Sequence, residues 1–308
     1  MRKFLPFLFA AALASSCIDN AYDLSNVNTD DVTIGDEDSE YRLPLATVYV
    51  SMSELNEGGA DIKTLFDEAD IWLPSPLPGN AAYVDLRELQ NTPETITPLL
   101  DALIDQMMDD DAKITAVADL LAEKYLSTFL PLLPPNTDPA DFKPVFIEAF
   151  RNMPMLHDRL SGEVKSLAGS YLTELKVQDV TYDIGKIDIG GDVGDMLCEN
   201  LDSEGTPNPK NTLHLYGSIT SALPVSLRLV PYFSPTNVRF DVTVEPGKTN
   251  EIRETQLFES DLRQIIEGAE IILPVSLEKY YPGYDFTSDQ QIVITLRLIK
   301  RGGLKLNL

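Results

Sequence analysis

The sequence predicts an α+β protein: a β-sandwich-like body carrying a four-helix insertion, behind a signal peptide and a disordered tether. Three observations predict it. Apolar residues recur every second position before residue 92 and after 176, and between those points they recur at helical spacing. Turn formers divide the two-residue runs into short segments, the pattern of an antiparallel body with one buried face per sheet. Ahead of both lies a short apolar run followed by an acidic stretch poor in large apolar side chains.

In chain order, residues 1–16 read as a signal peptide. Arg2 and Lys3 make a basic head, Phe4 to Leu13 is apolar, and Ala14, Ser15 and Ser16 are small. Ten apolar residues at ~1.5 Å each cover about 15 Å, roughly half a bilayer's hydrocarbon core, which is too short for a span. Residues 17–40 have the composition of an acidic flexible tether.

Residues 41–92 read as a β-rich segment. A strand is expected over Tyr41 to Met52, a helical turn or two over Ile62 to Ala69, a proline-rich strand edge at Ile71 to Pro78, and a strand over Tyr83 to Leu89. Residues 93–175 carry the insertion. Ile96, Leu99, Leu100, Leu103, Ile104 and Met107 form one stripe, with Thr92 as N-cap and Pro93 at the first helical position. Asp109, Asp110 and Asp111 break it and start a second helix that runs to Phe129. Asp138-Pro139 caps a third, bearing Phe142, Phe146 and Phe150, and the fourth covers about Leu156 to Leu175.

Residues 176–308 read as the C-terminal, β-sandwich-like part. Val180, Tyr182 and Ile184 alternate, as do Leu213 and Leu215, then Val225, Leu227 and Leu229, then Val238 to Val244. A short helix spans Gln256 to Gly268, and further strands cover Ile271 to Leu277, Ile292 to Leu298 and Leu304 to Leu308.

Leu13-Ala14-Ser15-Ser16-Cys17 resembles the lipobox of bacterial lipoproteins, with Ala14 where a larger aliphatic is commoner. The stretch Cys17 to Asp30 (CIDNAYDLSNVNTD) resembles the mature start of a group of Bacteroidota lipoproteins, and the order of elements after Asp261 is a looser likeness to the same group. The resemblance implies cleavage before Cys17, acylation of Cys17 and an envelope address; it implies no biochemical activity. Several acyl chains, each CH₂ contributing ~0.8 kcal/mol, hold a protein on a membrane without a spanning helix. In such lipoproteins Asp directly after the cysteine favours inner-membrane retention. Ile18 stands there, so the expected place is the cell outer membrane, with the periplasmic or surface face left open.

The formal charge is −25, and loss of Arg2 and Lys3 takes it to −27. Such a protein has no electrostatic reason to bind nucleic acid. Besides Cys17 only Cys198 remains, so an acylated Cys17 leaves no intrachain disulfide. Two histidines and one cysteine argue against a transition-metal centre, and no cofactor motif is present. The carboxylates from Asp183 to Asp195 alternate with apolar residues and glycines without EF-hand spacing, so two strands joined by a glycine turn are expected there.

No catalytic constellation is nominated: neither His157 nor His214 sits in a nucleophile motif. Trp72, Tyr280, Tyr281 and Tyr284 are candidates for an aromatic sugar platform, with Tyr280, Tyr281 and Tyr284 as ligand-binding residues. The expectation is a non-enzymatic binding or structural module of the envelope, anchored through Cys17, with an envelope protein or glycan as partner. Two alternatives are a carrier of an apolar ligand between the insertion and a sheet, and a glycan-acting hydrolase, which needs two carboxylates facing across a cleft.

Overall fold

A computed structural model describes residues 32–56, 61–177, 179–183, 191–198, 201–236 and 238–306. The signal segment, Cys17, the tether as far as residue 31 and the segment 184–190 lie outside the described residues.

In chain order the first elements are β1 (Val32–Ile34), β2 (Glu40–Ser51), α1 (Met52–Leu55), α2 (Ile62–Trp72), β3 (Val84–Asp85) and α3 (Leu86–Asn91). The helical block follows as α4 (Thr97–Asp109), α5 (Asp111–Lys124), α6 (Leu126–Phe129), α7 (Phe142–Asn152) and α8 (Pro154–Glu174). Then come β4 (Val180–Asp183), α9 (Gly191–Cys198), β5 (Thr212–Ser221), β6 (Val225–Leu229), β7 (Tyr232–Ser234), β8 (Val242–Val244) and β9 (Thr249–Leu257). The chain finishes with α10 (Glu259–Glu267), β10 (Glu270–Leu273), β11 (Val275–Tyr280), β12 (Gln291–Arg301) and β13 (Leu304–Leu306). The class is α+β.

All strand pairs are antiparallel. Two sheets have four strands, in the orders β2-β12-β5-β9 and β3-β11-β6-β8; a third has the order β4-β10-β7, and β1 pairs with β13. The β2–β12 ladder runs from Ser51 opposite Gln291 to Glu40 opposite Arg301. Beyond Glu40 and Arg301 the two chains pair again as β1 and β13, a separate two-stranded sheet at the Glu40 end of the ladder. At the centre of this sheet β5 presses on β12 at Gly217. A Cβ there would lie 2.0 Å from the Thr295 carbonyl oxygen, so no side chain fits.

The helical block closes on aromatic side chains. Phe146 of α7 lies 5.8 Å from both Phe142 and Phe150 and 6.1 Å from Phe129 of α6, and all four rings are buried. Around them Leu103, Ile114, Val117, Leu160, Val164 and Leu172 have no exposed surface, so the stripes are filled by packing on one another and on α2 and α3. Asp110 and Asp138 accept from the amides of Ala112 (2.8 Å) and Ala140 (2.9 Å), as aspartates at helix starts do.

Several elements differ from expectation. Val32 to Ile34, assigned to the tether, form a strand because they find a backbone partner in Leu304 to Leu306. Within 41–92 the structure is largely helical: α2 continues through Trp72 where a strand edge was expected, and the strand over Tyr83 to Leu89 is only Val84–Asp85 before α3 begins. Asp85 explains the switch, since its side chain accepts from the Glu88 amide at 2.8 Å and caps α3. Thr92 makes no side-chain cap; Pro93 opens a 3-10 turn, and α4 starts at Thr97. The single strand expected over Ile271 to Leu277 is split at Pro274 into β10 and β11, which enter different sheets. Gly191 to Cys198 is helical rather than part of a glycine turn.

The buried ring cluster predicts a strong truncation effect. Phe146→Ala should lower unfolding stability by about 3–5 kcal/mol, while Tyr49→Ala, at a side chain 54% exposed, should change it by less than about 0.5 kcal/mol. Urea unfolding of both variants checks this, and equal midpoints would contradict the packing described.

Candidate functional site

The expected aromatic platform divides between interior and surface. Tyr280, at the end of β11, is 1% exposed. Its ring packs against Phe66 of α2 at 4.6 Å, and its hydroxyl donates to Asp70 at 2.7 Å. Trp72 is fully buried and its indole N–H donates to Glu68 at 3.3 Å. Neither can meet a ligand at the surface. Tyr281 is half-buried and Tyr284 is 65% exposed.

The structure adds a residue that the sequence reading did not nominate. The short β3–β11 ladder sets Val84 opposite Tyr280 and Asp85 opposite Lys279. Alternation along both strands sends Val84 and Tyr280 into the core and turns Tyr83, Asp85, Lys279 and Tyr281 to the other face. Tyr83 and Tyr281 therefore meet, ring centroids 5.6 Å apart and planes at 52°. The Lys279 ammonium stands 4.8 Å from the Tyr83 centroid, at cation–π distance. Glu245 accepts from Lys248 (2.6 Å) and from Lys279 (3.4 Å). The outward position of Tyr83 could be read from Tyr83-Val84-Asp85-Leu86, but no sequence signal says that this run pairs with β11.

Beside Tyr83 lies a hollow of about 150 Å³, walled by Leu77, Pro78, Tyr83, Asp85, Glu88 and Thr95 among others. A second hollow, wider and more open at about 520 Å³, lies at the proline-rich tip between α6 and α7, where Pro134, Pro135, Asp138 and Val145 line it.

Beneath the aromatic corner, buried ionic groups fasten α2 to its neighbours. Glu68 accepts from Lys124 (2.5 Å), Tyr125 (2.9 Å) and Trp72. Burial and then the Glu68 carboxylate push the Tyr125 hydroxyl up to about 12. Lys113 of α5, 9% exposed, donates to the carbonyls of Asp70 (3.0 Å) and Leu73 (2.5 Å) at the end of α2. These are carbonyls that a helix terminus leaves without an internal partner. Burial, only partly offset by Asp70 and Asp110, lowers the Lys113 ammonium to about 8. Burial likewise raises Asp70, against the bond from Tyr280.

Other sequence candidates are placed separately. His214 on β5 receives a bond from Arg301 (3.1 Å), and burial and then Arg301 lower its pKa. His157 holds the Phe150 carbonyl and Ser161. Asp195 on α9 pairs with Arg263 of α10 at 2.9 Å. Asp109 ends α4, Asp110 caps α5 and Asp111 pairs with Arg151. Among the described residues no group of three or more His, Cys, Asp or Glu is placed to hold a metal ion, and no helix is long and apolar enough to cross a membrane.

No protein-family model matches the chain, and no curated protein matches it. One solved structure with some likeness is a Parabacteroides distasonis protein inferred to be secreted. It is 17% identical, with a TM-score of 0.30, over 41% of this chain and 38% of that one. So slight a likeness transfers nothing to this chain.

The depressed Lys113 pKa fixes the sign of a pH effect. An unfolded lysine titrates near 10.4 and the folded one near 8, so between those values the unfolded state binds more protons and stability rises with pH. Wild-type stability relative to Lys113→Met should therefore increase from pH 8 to about pH 10 by a kcal/mol or more. Paired denaturation curves test it; a difference independent of pH would show that Lys113 is solvated.

Proposed function

We propose that the chain is an acylated lipoprotein of the outer membrane, held there through Cys17, whose body is a non-enzymatic binding or structural module of the envelope. The observation that carries this reading is Cys17 itself, placed directly after the basic head, the ten-residue apolar run and the small residues Ala14, Ser15 and Ser16. The fold agrees with attachment at that end. Fourteen residues separate Cys17 from β1, and fully extended they span at most about 50 Å.

β2, at 12 residues, extends about 36 Å from Glu40 to Ser51. α1 and α2 begin where β2 ends, and the loop with Tyr281 and Tyr284 leads into Gln291, the partner of Ser51. The helical block and the aromatic corner thus share the Ser51 end of the ladder, and β1, which the proposed tether enters, lies at its Glu40 end.

Two features support a non-enzymatic role over the alternatives. The helical stripes that a carrier would need for its ligand are filled by side chains. Of the carboxylates beside the hollow, Asp85 already caps α3. The partner is therefore an envelope protein or glycan met at the surface.

Growth with a clickable fatty acid tests the anchor. Wild type should carry the label and fractionate with membranes, and Cys17→Ala should lose both. A variant that stays on the membrane, or an unlabelled wild type, would refute acylation at Cys17.

A further inference from the structure

The Tyr83 hollow and its aromatic corner have the chemistry of a sugar site, and we infer that they bind the terminal ring of a neutral glycan. The inference rests on the reading of the chain as a surface-binding module and not on its acylation.

Size comes first. At about 150 Å³ the hollow is well short of the roughly 300–1,000 Å³ that encloses a drug-sized ligand. It takes one ring-sized group and leaves the remainder of a longer molecule outside. The walls come next. A pyranose presents aliphatic C–H groups on its faces and hydroxyls around its edge. Leu77, Pro78 and Tyr83 give the lining apolar side chains, while Asp85, Glu88 and Thr95 give it polar ones. Asp85 already accepts the Glu88 amide and Glu88 is exposed, so a flat apolar ligand would use the apolar walls alone and leave the remaining acceptors to water. A polyhydroxylated ring satisfies both kinds of wall.

The charges decide between neutral and acidic sugars. Among the described residues the cations near the corner are Lys248, Lys279 and Arg87; Glu245 bonds to both lysines and Glu278 pairs with Arg87 at 3.2 Å. Asp85 lies across the ladder from Lys279, and Glu88 adds a further carboxylate in the hollow. No cation is in excess there, and the chain as a whole carries −25. A uronate or sulfate group would meet repulsion with no compensating ion pair. Lys279 is held over Tyr83 and against Glu245, which fixes the ring that walls the hollow. Tyr281, 5.6 Å from Tyr83, extends the aromatic surface beyond the hollow, where a second sugar ring would lie.

The test is saturation-transfer NMR and titration calorimetry on the purified full chain in a detergent without sugar. The probes are maltohexaose, cellohexaose and mannohexaose, with hexagalacturonate as the acidic comparator. At least one neutral hexamer should bind, Tyr83→Ala should weaken it about tenfold or more, and Tyr49→Ala, exposed on a different sheet, should leave it unchanged. Circular dichroism confirms that the variants are folded. The inference is overturned if no neutral hexamer binds, if binding is indifferent to Tyr83→Ala, or if hexagalacturonate binds as well as the best neutral sugar. These outcomes are separate from the fate of the anchor: fatty-acid label on Cys17 with no sugar binding removes the ligand class alone, whereas sugar binding without label removes the anchor alone.

Discussion

The contact between Tyr280 and α2 holds the two halves of this molecule together. Tyr280 is the last residue of β11, and its ring lies against Phe66, which also stacks on Phe286 at 4.7 Å. Its hydroxyl reaches Asp70 one turn further along the same helix. Burial of three rings supplies the attraction, and the hydrogen bond fixes the rotation of α2, because an unpaired phenol or carboxylate at that depth would be costly. The same contact sets the outer surface. With Tyr280 pointing inward, its neighbours Lys279 and Tyr281 must point outward, and the ladder with β3 then brings Tyr83 to them. Interior docking and exterior recognition chemistry are two faces of one short strand.

Charged groups do the remaining orientation. Lys113 and Glu68 are taken largely out of water, and each is matched to several partners rather than one. Buried ion pairs contribute little net stability, since desolvation offsets most of the attraction. Their effect is on the alternatives: a helix slid by one turn would leave Lys113 without the α2 carbonyls and Glu68 without Lys124 and Tyr125. Apolar stripes alone tolerate such slips, because one leucine replaces another. Lys300 follows the same logic at the other end of the ladder, where its fully buried ammonium bonds to the carbonyls of Arg301 (2.6 Å) and Gly303 (3.3 Å). There it fixes the turn that leads β12 into β13.

What could be read from the sequence follows from which forces leave a local signature. The helices of residues 93–175 are legible because each buries a stripe of period 3.6, except that the second, expected to run to Phe129, ends at Lys124, where Tyr125 leaves the helical conformation before α6 begins. β5, β6 and β12 were legible for the corresponding reason at period two. β9 was not recognised: Thr-Asn-Glu-Ile-Arg-Glu-Thr-Gln-Leu buries only Ile252 and Leu257, and its charges suit an edge strand, where they discourage pairing with other chains. The split at Pro274 was missed because one apolar run served two sheets. β1 gave no sign, since a three-residue strand exists only through its partner 270 residues away. The candidate site divides in the same way. Tyr280, Tyr281 and Tyr284 could be picked out together as an aromatic turn, whereas the inward rotation of Tyr280 and the arrival of Tyr83 depend on register, which no single segment encodes.

The direction of the ladder ties the proposed anchor to the proposed site. β1 and β13 pair at the Glu40 end of the β2–β12 ladder, and the helices and the aromatic corner begin at its Ser51 end. At the Glu40 end Glu37, Glu40, Glu254 and Asp202 gather around Lys210, Arg42, Arg301 and Lys300. With the exposed Asp36 and Asp38 in the adjoining turn, acidic groups outnumber basic ones, so that end has little attraction for anionic headgroups. The large net negative charge of the whole body acts beyond them and repels such a surface over about a Debye length, roughly 8 Å at physiological salt. An acyl anchor and an acidic body therefore work in opposite directions. Were Cys17 acylated as proposed, the lipid would retain the chain while the charge held the acidic body off an anionic surface, leaving the exposed Tyr83 and Tyr284 open to a glycan.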